Sequence, residues 1–255
     1  MRRIAFVNEK GGSCKTTLAV NVAAYLASLG KARVLLVDMD PQGQAGKSLG
    51  FYVRDLHPTI REVLMDPRLP VEQAIRPSQV PNLDVLVSNK TLADLPLEVA
   101  GHADRERKLA NRLDSVTGYD YVVYDSPPSI GLLTTNVMLA AEEIVVPVNL
   151  TYFALDGCAE IVDTVERMRV QFGKQDLEIV LVVPTLYRAT KLADEIIERL
   201  KSHFPGRTAR TVIGYNVKID EAQSHGKTIW EYAAWSRGAQ MIESLAREIM
   251  HLGAV

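Results

Sequence analysis

Short apolar runs alternate along the whole chain with longer stretches of helical period. Ile4–Val7, Arg33–Val37, Leu83–Val87, Tyr121–Tyr124, Ile144–Val148 and Ile179–Val183 are strand-length and apolar on consecutive positions. Runs of that kind read as strands buried on both faces. The intervening segments Thr17–Leu29, Arg105–Thr117, Leu132–Ala140, Ala154–Phe172 and Lys191–Phe204 read as amphipathic helices, the first stopped at Gly30 as a left-handed cap. Alternating units of this type predict an α/β fold, a doubly wound and mostly parallel sheet with helices on both faces. Gly43–Pro81 is punctuated by Gly and Pro and reads as irregular, with one short helix near Thr59–Met65. A last helix over Ser236–Met250 is expected on the flank of the sheet, with Trp230, Tyr232 and Trp235 packing it. No repeat or long linker divides the chain, so one domain over residues 1–255 is expected.

Composition narrows the classes. The 255 residues are 47% hydrophobic, enough for a sizeable core, and 29 Lys and Arg against 31 Asp and Glu exclude a polybasic protein. Two cysteines, Cys14 and Cys158, supply neither a disulfide framework nor a multi-thiolate metal site within the chain. No apolar run approaches the ~20 residues of a membrane span, so the reading is cytoplasmic.

The chemistry gathers at strand ends, where ligands bind in parallel sheets. After the first strand comes Asn8-Glu9-Lys10-Gly11-Gly12-Ser13-Cys14-Lys15-Thr16-Thr17, followed by a helix. Strand, glycine-rich loop, Lys-Thr and helix make the context of a phosphate-binding loop, with amides and Lys15 on the phosphates and the Thr16 hydroxyl on Mg²⁺. Cys14 stands where such loops usually have glycine, and its place at a helix start predicts a lowered thiol pKa. The second strand ends in Asp38-Met39-Asp40, and Tyr121–Tyr124 ends in Asp125. Carboxylates at such tips suit a metal partner and a group that orients attacking water.

These motifs resemble the ParA/MinD family of deviant Walker ATPases. KGG-x-x-KTT, D-x-DPQG after the second strand and YDSPPS-x-GLL-x-x-N (Tyr124–Asn136) carry the resemblance. Asn216–Ile229 (NVKIDEAQSHGKTI) and Ser236–Gln240 (SRGAQ) are similar to segments of the short Soj-like ParA proteins. The resemblance implies a P-loop NTPase fold, ATP and Mg²⁺ as ligands, and slow, partner-stimulated ATP hydrolysis. It makes Lys10 the signature lysine that reaches a second subunit, Lys15 the phosphate-loop lysine and Asp40 the residue needed for hydrolysis. Gly11, Gly12, Ser13, Cys14, Thr16 and Thr17 become nucleotide contacts, with Asn216 at the base edge. Thr16, Asp38 and Asp125 become the metal group. Lys10 sits on the outer rim of the loop, better placed to reach across an interface than to serve its own nucleotide. Ser13-Cys14 replaces the usual Val-Gly, and Gly214-Tyr215 replaces a common Pro-Arg.

Three functional classes follow. The first is a positioning ATPase that forms an ATP-dependent homodimer, binds DNA without sequence preference and associates with the nucleoid. In it an adaptor of the ParB kind triggers hydrolysis to move a plasmid, chromosome or protein assembly, and the resemblance gives Arg188 and Lys218 as DNA contacts, with Lys191 extending the patch. The second is a MinD-like membrane-associated ATPase. It needs a basic, bulky amphipathic C-terminal helix, whereas Met241–Val255 has Glu243 and Glu248 against Arg247 and no Lys, Trp or Phe; no membrane partner is expected. The third is a redox enzyme, disfavoured by the lone Cys158 in mid-chain, which reads as a core residue, or a small-molecule ligase, for which the sequence identifies no substrate pocket.

Overall fold

A computed structural model describes residues 1–252. The elements run β1 (Arg2–Phe6), α1 (Lys15–Ser28), β2 (Val34–Asp38), α2 (Gln44–Ser48), α3 (Ile60–Met65), β3 (Ile75–Pro77), β4 (Leu83–Leu86), α4 (Leu95–Glu98), α5 (Lys108–Leu113) and β5 (Tyr121–Asp125). There follow α6 (Leu132–Ala140), β6 (Glu143–Asn149), α7 (Ala154–Phe172), β7 (Glu178–Tyr187), α8 (Lys191–His203), β8 (Ile213–Gly214), α9 (Val217–Ser224), α10 (Ile229–Ala233) and α11 (Arg237–Leu252). The strands form one sheet in the order β3-β4-β2-β5-β1-β6-β7-β8, parallel throughout except for β3 against β4. The α/β expectation holds.

Period-two alternation splits each central strand between two cores. Ile4 and Phe6 of β1 pack with α1 and α11, while Ala5 and Val7 face the side of α5 to α8. Val34 and Leu36 of β2 likewise oppose Leu35 and Val37. That two-sided burial is why these runs carry no polar alternation. The six expected strands all form. The two others, β3 and β8, are short edge strands containing Arg76, Pro77 and Gly214, which give no apolar run to read.

Several local expectations are corrected. α1 is buried on nearly every side from Leu18 to Ala27, because the sheet covers one face and α10 and α11 the other. Gly30 is not the left-handed residue; Lys31 is, at φ 56°. Gly30 is needed for close approach instead, since a Cβ there would lie 2.6 Å from the Leu26 carbonyl oxygen. Trp235 does not pack the C-terminal helices: it is 77% exposed. Trp230 does pack, donating its indole N–H to the Asn21 carbonyl at 3.2 Å.

The helix expected over Arg105–Thr117 shrinks to α5, and a buried side chain explains the shorter start. The amide of Asn136, fully buried in α6, donates to the Arg105 carbonyl at 2.8 Å and accepts from the Leu109 N–H at 3.0 Å. Those two backbone groups would otherwise bond each other as one helical i to i+4 pair. The inserted amide starts the helix at Lys108 and fastens the preceding turn to α6. Asn136→Ala leaves both groups unpaired or forces a rearrangement, and an expected loss of about 2 kcal/mol in urea-unfolding free energy tests this. A loss below about 0.5 kcal/mol would mean that the turn re-forms as helix at no cost.

Candidate nucleotide-binding site

β1 lies at the centre of the sheet, and the loop leaving its C-terminal end turns directly into α1. Two residues of that loop take left-handed backbone: Gly12 at φ 69° and Cys14 at φ 70°. A glycine adopts this at no steric cost, whereas Cys14 carries a penalty of about 1 kcal/mol. The turn is braced from within. Ser13 donates its hydroxyl to the Lys10 carbonyl at 3.1 Å, and Lys15 Nζ reaches the same oxygen at 3.1 Å. From outside, the Thr185 hydroxyl of β7 donates to the Ser13 carbonyl at 3.2 Å.

Above the loop opens a cavity of about 350 Å³. Gly11, Gly12, Ser13, Cys14, Lys15, Thr16 and Thr17 form its floor. Asp40, Gln42, Gln44 and Pro128 wall one side, Leu186 and Asp220 the other. Asp38 and Asp125 lie beneath, at neighbouring register positions on β2 and β5. Both are fully buried. Asp38 is compensated by the backbone: it accepts from the N–H groups of Asp40 at 3.0 Å, Ala45 at 3.1 Å and Gly46 at 3.3 Å. Even so, burial pushes its carboxyl up to about 7.

Asp125 has no such help. Among the described residues neither of its carboxylate oxygens has a hydrogen-bond partner. The Thr16 hydroxyl and the Lys15 ammonium lie near enough to favour its charged form, but burial and the adjacent Asp38 hold it well above the usual carboxylate range. Lys15 is buried as well, and desolvation lowers its pKa against the pull of Asp125 and Asp40. A buried carboxylate without a donor, beside a hydroxyl and a phosphate loop, has the chemistry to serve a hydrated divalent cation. No cluster of three or more His, Cys, Asp or Glu could hold a metal among the described residues. Mg²⁺ beside phosphates is ordinarily held through hydroxyl, water and phosphate oxygens rather than by a protein cage.

Asp40 is buried at the cavity wall, its carboxylate accepting from the Gln42 N–H at 2.9 Å and its carbonyl from the Ser88 hydroxyl. Lys10 departs from the rim orientation expected of it. Its side chain folds back over α7, where Nζ donates to the Phe153 carbonyl and Cε would meet a Cβ on Gly157 at 3.2 Å. Asn216 does not line the cavity. It caps α9, accepting from the Lys218 N–H at 3.0 Å. Asp220, one turn further along α9, reaches the cavity in its stead and was not singled out from the sequence. Nothing in the local sequence marked it, since the packing of α9 against the phosphate loop is a tertiary contact. Gln223, also unmarked, donates to the Thr17 hydroxyl at 3.0 Å.

The expected DNA contacts lie beyond Leu186, off the cavity floor. Arg188 is exposed, its guanidinium 5.4 Å from the ring centroid of Tyr215. Lys191 is 92% exposed, and Lys218 pairs with Glu221 at 2.7 Å. No helix among the described residues is long and apolar enough to cross a membrane.

The lowered thiol pKa expected for Cys14 is reversed. Burial, reinforced by Asp220, pushes it up to about 11, outweighing the Thr185 hydrogen bond and the Lys15 charge. The neutral thiol therefore persists through neutral pH and ionises only as the pH approaches that value. Alkylation of Cys14 by iodoacetamide at pH 8, followed by peptide mapping, is expected to run about a hundredfold slower than for a free thiol and to accelerate up to pH 11.

The AAA domain family model matches residues 1–179. The chain is 41% identical to the sporulation initiation inhibitor protein Soj of Bacillus subtilis over 248 residues, 96% of this chain and 97% of that protein. It is 36% identical to the chromosome partitioning protein ParA of Caulobacter vibrioides over 254 residues, 98% of this chain and 94% of that protein. Among solved structures, cobyrinic acid a,c-diamide synthase from Mycobacterium smegmatis with bound ADP and magnesium is similar at TM-score 0.84 and 27% identity, covering 98% of this chain and 94% of that one. With relatives matched along almost their whole length and a phosphate loop set over buried strand-end carboxylates, the chain belongs to the Soj/ParA family of chromosome-partitioning ATPases.

Proposed function

We propose that this protein binds Mg·ATP in the cavity over the β1–α1 loop and hydrolyses it as the switch of an ATP-dependent, DNA-associated positioning cycle. The single observation behind this reading is the buried Asp125 carboxylate, unpaired beside Thr16, Lys15 and Asp38. A buried carboxyl without a donor ionises readily only beside a cation, and the amides of a loop opening a helix suit phosphates.

In this mechanism the amides of Gly11 to Thr17 bind the phosphates, and Lys15 neutralises their terminal charge. The Thr16 hydroxyl would hold Mg²⁺, whose charge would offset that developing on the leaving and transferred phosphates. Asp125, and the one acceptor position of Asp38 not committed to backbone, orient the water around that ion. Asp40 fixes the attacking water, while the loop that carries it is folded by the three N–H bonds to Asp38.

Lys10 has its use across a dimer. Two Mg·ATP units of charge about −2 each, roughly 15 Å apart at an effective dielectric near 40, repel by about 2 kcal/mol. A lysine from each subunit reverses that sign, and loss of the terminal phosphate weakens the bridge. For Lys10 to act this way it must leave Phe153. Dimers would then double a modest basic strip formed by Arg188, Lys191 and Lys218, giving salt-sensitive DNA binding without base readout. A ParB-like adaptor that stimulates hydrolysis would release the protein, and that cycle in the cytoplasm, on the nucleoid, would position the cargo. The MinD-like membrane alternative is the weaker reading, because α11 spends its apolar face, Ile242, Leu245 and Ile249, on the core and pairs Arg247 with Glu243.

Two measurements test the cycle. Sedimentation of Lys10→Ala with ATP is expected to show monomers only, with nucleotide binding largely kept; ATP-driven dimers in that variant would remove the role of Lys10. DNA retention measured with ATP, ADP and no nucleotide across a salt series is expected only with ATP, with a steep salt slope. Arg188→Glu should keep the dimers and lose DNA retention at least tenfold, and unchanged retention would remove that contact.

A further inference from the structure

The cavity has two unlike walls, and the sheet order says which end of a nucleotide meets each. β2 and β5 lie on one side of β1, whereas β6, β7 and β8 lie on the other. Apart from Thr16 on the loop itself, the groups suited to metal or water, namely Asp38, Asp40, Asp125 and the following Gln42 and Gln44, come from the β2 and β5 side. The terminal phosphate therefore points that way. The sugar must leave toward β7 and β8, where the wall consists of Leu186 and Asp220. Leu186 turns there in left-handed backbone, φ 55°, and borders a second cavity of about 420 Å³ that also touches Asn149, Thr151, Arg188 and Tyr215. The nucleoside has room to continue past it.

Asp220 is exposed on α9 while still lining this wall. The helix dipole accounts for an acidic residue in the first turn of α9, but not for its place in a cavity made for an anion. Nor is the carboxylate spent on its neighbour: Lys218 pairs with Glu221, at 2.7 Å. α9 is held at this distance by the bond from Gln223 to Thr17 at 3.0 Å. A carboxylate beside phosphates repels them unless its partner is a donor, and a nucleotide's sugar offers donors in its hydroxyls. We propose that Asp220 reads the ribose: its carboxylate accepts from the 2′- or 3′-hydroxyl of the bound nucleotide and makes the site selective for ribonucleotides over deoxyribonucleotides. This assignment rests on the nucleotide reading above.

Calorimetric titration with ATP, 2′-deoxy-ATP and 3′-deoxy-ATP separates the two. The wild-type chain is expected to bind ATP about tenfold more tightly than at least one deoxy analogue, the worth of one charge-assisted hydrogen bond. Asp220→Ala should erase that ratio by weakening ATP alone, leaving the disfavoured analogue bound as well as before or slightly better. Asp220→Asn, which keeps the shape and loses the charge, should fall between them. Equal affinity of the wild type for all three nucleotides overturns the ribose assignment while leaving ATP binding intact. So does an Asp220→Ala variant that loses affinity for all three alike, which would make Asp220 a support for α9. Binding of none of the three by the wild type overturns the nucleotide reading itself.

Discussion

Two carboxylates buried at the ends of neighbouring strands set the terms for the rest of the site. Asp38 and Asp125 sit at paired positions on β2 and β5, each without solvent exposure. Charge in that setting is tolerated only where something answers it. The chain answers Asp38 with three backbone N–H groups and so folds the loop that carries Asp40. It answers Asp125 only with Lys15 and Thr16, which are themselves the groups a phosphate and a metal would engage. The two carboxylates are thus treated differently, one spent on supporting a loop and one left beside Lys15 and Thr16 without a donor of its own.

The phosphate loop shows how an unfavourable residue is accommodated. A thiolate at position 14 would place negative charge among amides arranged for phosphate. Burial keeps that thiol neutral instead, so Cys14 costs the loop backbone strain of about 1 kcal/mol without electrostatic opposition to an anion. The helix start alone would have lowered the pKa; desolvation is the larger effect because Cys14 packs into the second core beneath α1.

Central parts of the fold were legible because two-sided burial writes an unmistakable run. β1, β2, β5 and β6 were readable from their consecutive apolar residues, and α6 and α7 matched their expected limits. What escaped had causes outside the local sequence. β3 and β8 exist because a neighbouring strand pairs with them. α5 starts late because Asn136, some thirty residues away, supplies an amide between two backbone groups. For the site, residue types at strand tips located Lys15, Thr16, Asp38, Asp40 and Asp125, since the tips of a parallel sheet share one edge. Asp220 and Gln223 were hidden because nothing in their own helix indicates that α9 leans on the phosphate loop. The fold of Lys10 onto Phe153 was likewise invisible, as it joins residues 143 positions apart.

α9 links regions that look separate in the sequence. Its Gln223 is bonded to Thr17 in the phosphate loop, and Gly226, just after it, touches Gly50 at the end of the segment that begins with Asp40. A Cβ on Gly226 would stand 2.8 Å from the Gly50 Cα, so two backbones meet there with no side chain between them. At its start, Asn216 packs against Gly238 of α11, where a Cβ would meet the Asn216 side-chain oxygen at 2.9 Å. Packing this close leaves little slack. A movement of either the phosphate loop or the Asp40 loop therefore has to shift α9 or break one of these contacts. Lys218 rides on the same short helix, so its position is tied to that of the cavity wall.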